Sequence, residues 1–114
     1  MNRFLALVLC VAALSGCGSR VTRVVDGHSV EGRQISPQAY ALYLAARLAE
    51  ERGELDLALC RYAEVLEEDP DATEAWIRQG SLECRRNPDQ GIRSLERAEE
   101  LDPNHPQVFA ARAE

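Results

Sequence analysis

Lysine is missing from this 114-residue chain; all 13 basic side chains are arginine, and no fold follows from that alone. The charge balance is more informative. Against 19 acidic residues the formal net charge is -6, which removes the positive surface that non-specific nucleic-acid binding requires. It also leaves no polybasic patch for a membrane. Histidine occurs only at His28 and His105, and neither has a second ligand at metal-binding spacing. There is no glycine-rich phosphate loop, no HExxH and no nucleophile elbow. The acidic run Glu67, Glu68, Asp69, Asp71 reads as a solvated helix end rather than a paired acid and base. These absences argue against an enzyme, a cofactor, a metal site or a nucleic-acid partner. The length allows one small domain.

Long apolar runs are also absent, with one exception. Phe4 to Leu14, FLALVLCVAAL, follows Arg3 and leads into LSGCGS. Eleven helical residues span about 16 Å, short of the roughly 30 Å hydrocarbon core. A positive start, a short apolar core and a small-residue exit form a secretory signal, and Cys10 leaves with it. Leu14, Ser15, Gly16 and Cys17 resemble the lipobox of bacterial lipoproteins. The resemblance implies cleavage before Cys17, a diacylglycerol thioether on its sulfur and an acylated N-terminus. Several acyl chains on one residue exceed the marginal hold of a single chain. Gly18, where an Asp would signal retention in enteric-type bacteria, is compatible with the outer membrane, lipid-anchored and periplasm-facing.

Residues 18–35 lack helical periodicity. Asp26-Gly27 between valine-rich flanks is a hairpin signal, but an isolated two-stranded hairpin is marginal. The expectation is therefore a flexible linker over 17–36, holding the domain off the membrane.

From residue 37 to 114 the sequence turns helical. Ser36 and Pro37 read as N-cap and first helical position. Leu42, Ala45, Ala46 and Ala49 recur on one face, Gly53 interrupts, and Leu55, Ala58, Leu59, Tyr62, Val65 and Leu66 form a second face that ends at Asp69-Pro70. Asp71 with Glu74 reads as a capping box for a third run containing Ala75, Trp76, Gly80 and Leu82. Asn87, Pro88 and Gln90 open a fourth run, which carries Ile92, Leu95, Ala98 and Leu101 before Asp102-Pro103.

The two Asp-Pro pairs are 33 residues apart, and EVLEEDPDATEAW aligns without a gap on RAEELDPNHPQVF. Tyr62 meets Leu95, Val65 meets Ala98, Trp76 meets Phe109, and the caps Asp71 and Asn104 coincide, as do Glu74 and Gln107. A period of this length marks a helical solenoid. The pattern resembles the tetratricopeptide repeat, a helix-turn-helix unit, over Ala39 to Glu114. Leu42, Ala45, Ala46, Ala49, Ala58, Tyr62, Val65 and Pro70 fall on its signature positions in the first unit. Trp76, Gly80, Gly91, Leu95, Ala98 and Pro103 do so in the second, with one residue deleted in the turn. Gln79 and Glu83 depart from the usual leucine and aromatic. A third unit opens at Pro106, with Phe109 in its aromatic slot. The fold expected is all-α, about two antiparallel helix-turn-helix units and part of a third, with Ala46, Ala58, Gly80 and Gly91 where helix axes cross. Trp76 is expected as the largest apolar contributor to the core.

The resemblance implies a face of stacked first helices that receives a partner protein or peptide of the cell envelope. The positions implied are Tyr40, Tyr43, Arg47, Glu50 and Glu51 with Glu74, Ile77, Ser81, Cys84 and Arg85. The alternative is a solvated face on a structural lipoprotein or oligomerisation subunit. Because about three repeats are normally needed for stability, the count suggests continuation beyond Glu114, a partner that completes the fold, or homo-oligomerisation through the end that carries Phe109. Cys60 and Cys84 have no metal or catalytic spacing. They are expected as packed or partly exposed thiols, with a mutual disulfide the alternative in an oxidising periplasm.

Overall fold

The computed structural model describes residues 21–113; Cys17 and the apolar run before it lie outside the described residues. The chain divides into two units, 1–34 and 35–114, each taken by itself.

In the first unit, β1 (Val21–Val25) pairs antiparallel with β2 (His28–Gly32), and Val25 faces His28 across a two-residue turn. Asp26 and Gly27 both have positive φ, 50° and 78°. That combination selects the tight turn whose twist matches the strands, and Asp-Gly is the dipeptide that tolerates it. The linker expectation is thus corrected over 21–32: local turn chemistry outweighs the marginal stability of a lone hairpin.

In the second unit all regular structure is helical. The five helices are α1 (Pro37–Glu51), α2 (Leu55–Glu68), α3 (Thr73–Cys84), α4 (Pro88–Leu101) and α5 (Pro106–Ala113). The Ser36 hydroxyl accepts the Ala39 amide at 3.0 Å, and Pro37 takes the position whose N–H has no helical partner. Asn87 caps α4 in the same manner, accepting from the Gln90 amide at 3.4 Å. Contacts join α1 to α2, α3 to α4, α2 to α3, and α5 to both α3 and α4. The body is two helical hairpins in series with a further helix against the second.

The internal repeat reaches the backbone. α2 and α4 begin and end 33 residues apart, as their ranges show. The two Asp-Pro corners carry one set of bonds. Asp69 and Asp102 each donate their amide to the preceding helix, at 2.8 and 3.0 Å. Their carboxylates accept the amides of Asp71 and Asn104, at 3.3 and 3.2 Å. This corrects the expected capping boxes. Asp71 and Asn104 are donors within a turn closed by the aspartate two residues earlier, and the helices start later, at Thr73 and Pro106. α3 has no side-chain cap; at α5, His105 Nδ1 accepts the Gln107 amide at 3.3 Å.

The larger core cluster spans both hairpins. Ala46, Ala49, Ala58, Tyr62, Val65 and Leu66 pack with Ala75 and Leu82 of α3. A smaller one joins Ile77, Ala98 and Val108. Tyr62, Leu95 and Val108 are the largest fully buried side chains. Trp76 is not among them: it lies half-buried against both clusters, and its indole N–H donates to the Pro70 carbonyl at 2.8 Å. That bond holds the ring over the Asp-Pro corner instead of inside the core. Pro70 and Pro103 are exposed in their turns.

Glycine is required at one crossing by a shortened turn. From Ala46 to Ala58 the first hairpin has one residue more than the second has from Gly80 to Gly91, and its turn contains Gly53 at φ 72°. The shorter turn brings the backbone of Cys84 onto Gly91. A Cβ there would meet Cys84 N at 2.5 Å and Cα at 2.8 Å; at Gly80 it would meet the Leu95 side chain at 2.8 Å. Ala58 fills the equivalent place in the first hairpin, fully buried.

Candidate functional site

The first helices of the two hairpins, α1 and α3, and the further helix α5 share a face. Along it lies a hollow of about 280 Å³, lined by Glu50 of α1, by Ile77, Arg78, Ser81, Leu82 and Arg85 of α3, and by residues of α5 beginning at Gln107. Four of the positions implied by the repeat, Glu50, Ile77, Ser81 and Arg85, are therefore brought together. Arg85 is exposed and makes no ion pair among the described residues. Ser81 lies one turn before it, half-buried.

Glu50 organises one wall. Its carboxylate accepts the Tyr62 hydroxyl at 2.7 Å, Arg47 at 3.5 Å and Arg78 at 3.5 Å. Arg47 also reaches Glu51 at 3.8 Å. Two guanidinium groups from different hairpins thus converge on one carboxylate, and the bond from buried Tyr62 fixes where that carboxylate sits. Partly exposed pairs at such distances add little stability, so their effect here is orientation. The Tyr43 ring meets Tyr62 edge-on, with centroids 5.9 Å apart and planes at 62°. Burial raises the Tyr43 hydroxyl above its ordinary pKa; Glu74 adds to the rise, while Arg78 and Arg47 oppose it. Tyr62 is raised much further, by burial first and then by its hydrogen bond to Glu50.

Not every implied position serves the face equally. Ile77 forms its floor: only 3% exposed, it packs on Ala98 and Val108 because α5 folds over it. Tyr43 is half-buried against Tyr62 and does not line this hollow. Tyr40 is exposed, two turns before Arg47 on the same side of α1, and does not line this hollow. Glu74 binds His105 Nε2 at 3.1 Å, tying α3 to the turn before α5. Cys84 lines an adjoining hollow of about 620 Å³ with Ser81, Arg85, Pro88, Ile92 and Leu95. Both Cys60 and Cys84 are free thiols. Phe109, expected as a packing residue, is 57% exposed; its neighbour Val108 fills the core position instead.

Two features of this region go beyond what the sequence pattern foretells. Glu83 is only 7% exposed, and its carboxylate accepts the Ser94 hydroxyl at 2.5 Å and the Gln90 side-chain amide Nε2 at 3.0 Å. It locks α3 to α4 through polar groups at a position where the resemblance implies an aromatic. The second is an apolar stripe on α1, Leu44 and Leu48, half-exposed beside Leu57 of α2. Their signal was present as leucines off the core face of an otherwise amphipathic helix.

Among the described residues no group of acidic, histidine and cysteine side chains is placed to hold a metal ion, and no helix is long and apolar enough to cross a membrane. No protein-family model matches this chain, and no curated protein matches it either.

Proposed function

We propose that the chain is a protein-interaction module of a bacterial cell envelope, built on tetratricopeptide-type repeats and held at the membrane by lipid on Cys17. It acts by binding, not by catalysis, and takes no cofactor. The observation that carries this reading is the hollow shared by α1, α3 and α5. There Ser81 and the guanidinium of Arg85, without an ion pair among the described residues, stand over the apolar floor of Ile77. A repeat unit that buries its second helix and presents its first offers a partner side-chain groups from several units at once. An apolar floor with a polar rim is the composition of a recognition patch. The 33-residue recurrence of the Asp-Pro corners supports the solenoid reading, and the lipobox-like LSGC supports the membrane address.

Affinity capture from solubilised envelopes tests it, with Arg85→Glu and Cys17→Ser as separate arms. Arg85→Glu is expected to lose the partner while the protein stays at the membrane. Cys17→Ser is expected to release the protein from the membrane. An unchanged capture profile for Arg85→Glu rejects the binding face; membrane retention of Cys17→Ser rejects the lipid anchor.

A further inference from the structure

The apolar stripe on α1 has a counterpart within the same molecule. Superposing the hairpins by their crossing residues, Ala46 on Gly80, places Ala41 on Ala75, Ala45 on Gln79 and Leu48 on Leu82. In α3 this side faces the preceding hairpin: Ala75 and Leu82 are 0% and 4% exposed, in one cluster with Tyr62, Val65 and Leu66 of α2. In α1 the same side is uncovered among the described residues of this unit. Ala41 and Ala45 are exposed, and Leu44 and Leu48 are 49% and 47% exposed. Beside them Leu57, Leu48 and Ala45 line a hollow of about 220 Å³, rimmed by Arg52, Glu54 and Arg61. α1 thus carries a stacking face whose equivalent in α3 is covered by a helix.

We propose that this face is covered by the same face of a second copy of the chain, forming a two-fold dimer. Three observations select that occupant. The described segment before α1 is a β-hairpin, so it supplies no helix of the kind α2 offers α3. The opposite end of the stack is a poor substitute. At the positions of Ala63 and Leu66, which α2 turns toward α3, α4 carries Glu96 and Glu99, the latter paired with Arg112, and α5 already packs on α4. Head-to-tail stacking would therefore set carboxylates against leucines. A self-pairing instead sets leucine on leucine, and the rim carries both signs, so Arg52 of one copy is complementary to Glu54 of the other, while Arg61 is held by Glu64 of its own helix at 2.6 Å. A two-fold contact demands such self-complementarity. In it, Leu48 of each copy enters the hollow beside Leu57 of its partner. The dimer rests on the α1 face alone and does not depend on the proposed binding face.

Sedimentation equilibrium of the full chain in density-matched detergent reads the association directly. The wild type is expected as a concentration-dependent dimer, and Leu48→Arg or Leu44→Arg is expected to weaken it by about thirtyfold or more, as for a central interface residue. Both side chains are half-exposed, so helical circular dichroism should not change. Phe109→Glu, at the other end of the stack, is expected to leave the dimer intact. A photo-crosslinker at Leu48 should join two copies through α1 and α2. A monomer throughout, a dimer indifferent to Leu48→Arg, a dimer broken by Phe109→Glu, or crosslinks from Leu48 to residues 21–32 of its own chain, to lipid or to another protein would each overturn the proposal.

Discussion

Replacing Gly91 by alanine separates packing from propensity. In an exposed helix interior the change is favourable by up to about 1 kcal/mol. Here the new methyl would lie 2.5 Å from Cys84 N and 2.8 Å from Cys84 Cα. Those are backbone atoms at the end of α3, so relief requires the hairpin to open. Overpacking of this kind costs typically about 1–3 kcal/mol, and contact with backbone rather than a flexible side chain places it at the upper end. Net of the propensity gain, a loss of about 2 kcal/mol is expected. For a domain of this size that lowers Tm by about 8–16 °C. The first hairpin shows the remedy, because it accepts Ala58 at the equivalent place with one more residue and Gly53 at φ 72° in its turn. Inserting one glycine between Arg85 and Arg86 should therefore restore much of the loss in Gly91→Ala. Urea denaturation followed by circular dichroism measures all three proteins. A neutral or stabilising Gly91→Ala would refute the turn-length argument, and so would an insertion that gives no rescue.

Ser94→Ala removes the hydroxyl that Glu83 accepts at 2.5 Å and should cost about 1.5–3 kcal/mol, the range for a hydrogen bond to a charged group, in the same urea titration. Trp76→Phe deletes the indole bond to the Pro70 carbonyl at about 1 kcal/mol, and differential scanning calorimetry should show the lower Tm. Alkaline pH should destabilise the fold. Burial raises both Tyr43 and Tyr62, so the unfolded chain loses its phenolic protons first. Stability is then fully present below about pH 10 and falls as pH rises further. Tyr62→Phe should be less stable at neutral pH, having lost its bond to Glu50, yet show a shallower alkaline decline in a pH series of urea titrations.

The local signals were legible because they act within a few residues. Ser36-Pro37, Asn87-Pro88 and the Asp-Pro corners set helix ends through their own backbone chemistry, and the structure keeps each. The 33-residue spacing exposed the repeat for the same reason: both corners solve one local problem with one set of side chains. What escaped depends on partners distant in sequence. Glu83 stands as a departure at an aromatic position until Ser94 and Gln90 of α4 turn its pocket polar. Ile77 reads as a position of the receiving face because its cover, Ala98 of α4 and Val108 of α5, is distant in sequence, and Trp76 reads as core because its tether to Pro70 cannot be inferred from hydrophobicity. Asp71 and Asn104 each have the composition of a cap, but Asp69 and Asp102, two residues earlier, take their amides first. At the hairpin the balance runs the other way: the Asp26-Gly27 turn is sufficient signal without any distant partner.

A photo-crosslinker placed at Ser81 in native envelopes tests the binding face most directly, with Arg93 on the exposed side of α4 as the comparison. The proposed module predicts a discrete protein adduct from Ser81, absent from Arg93 and lost in Arg85→Glu. No protein adduct from Ser81, or the same adducts from both positions, would contradict it.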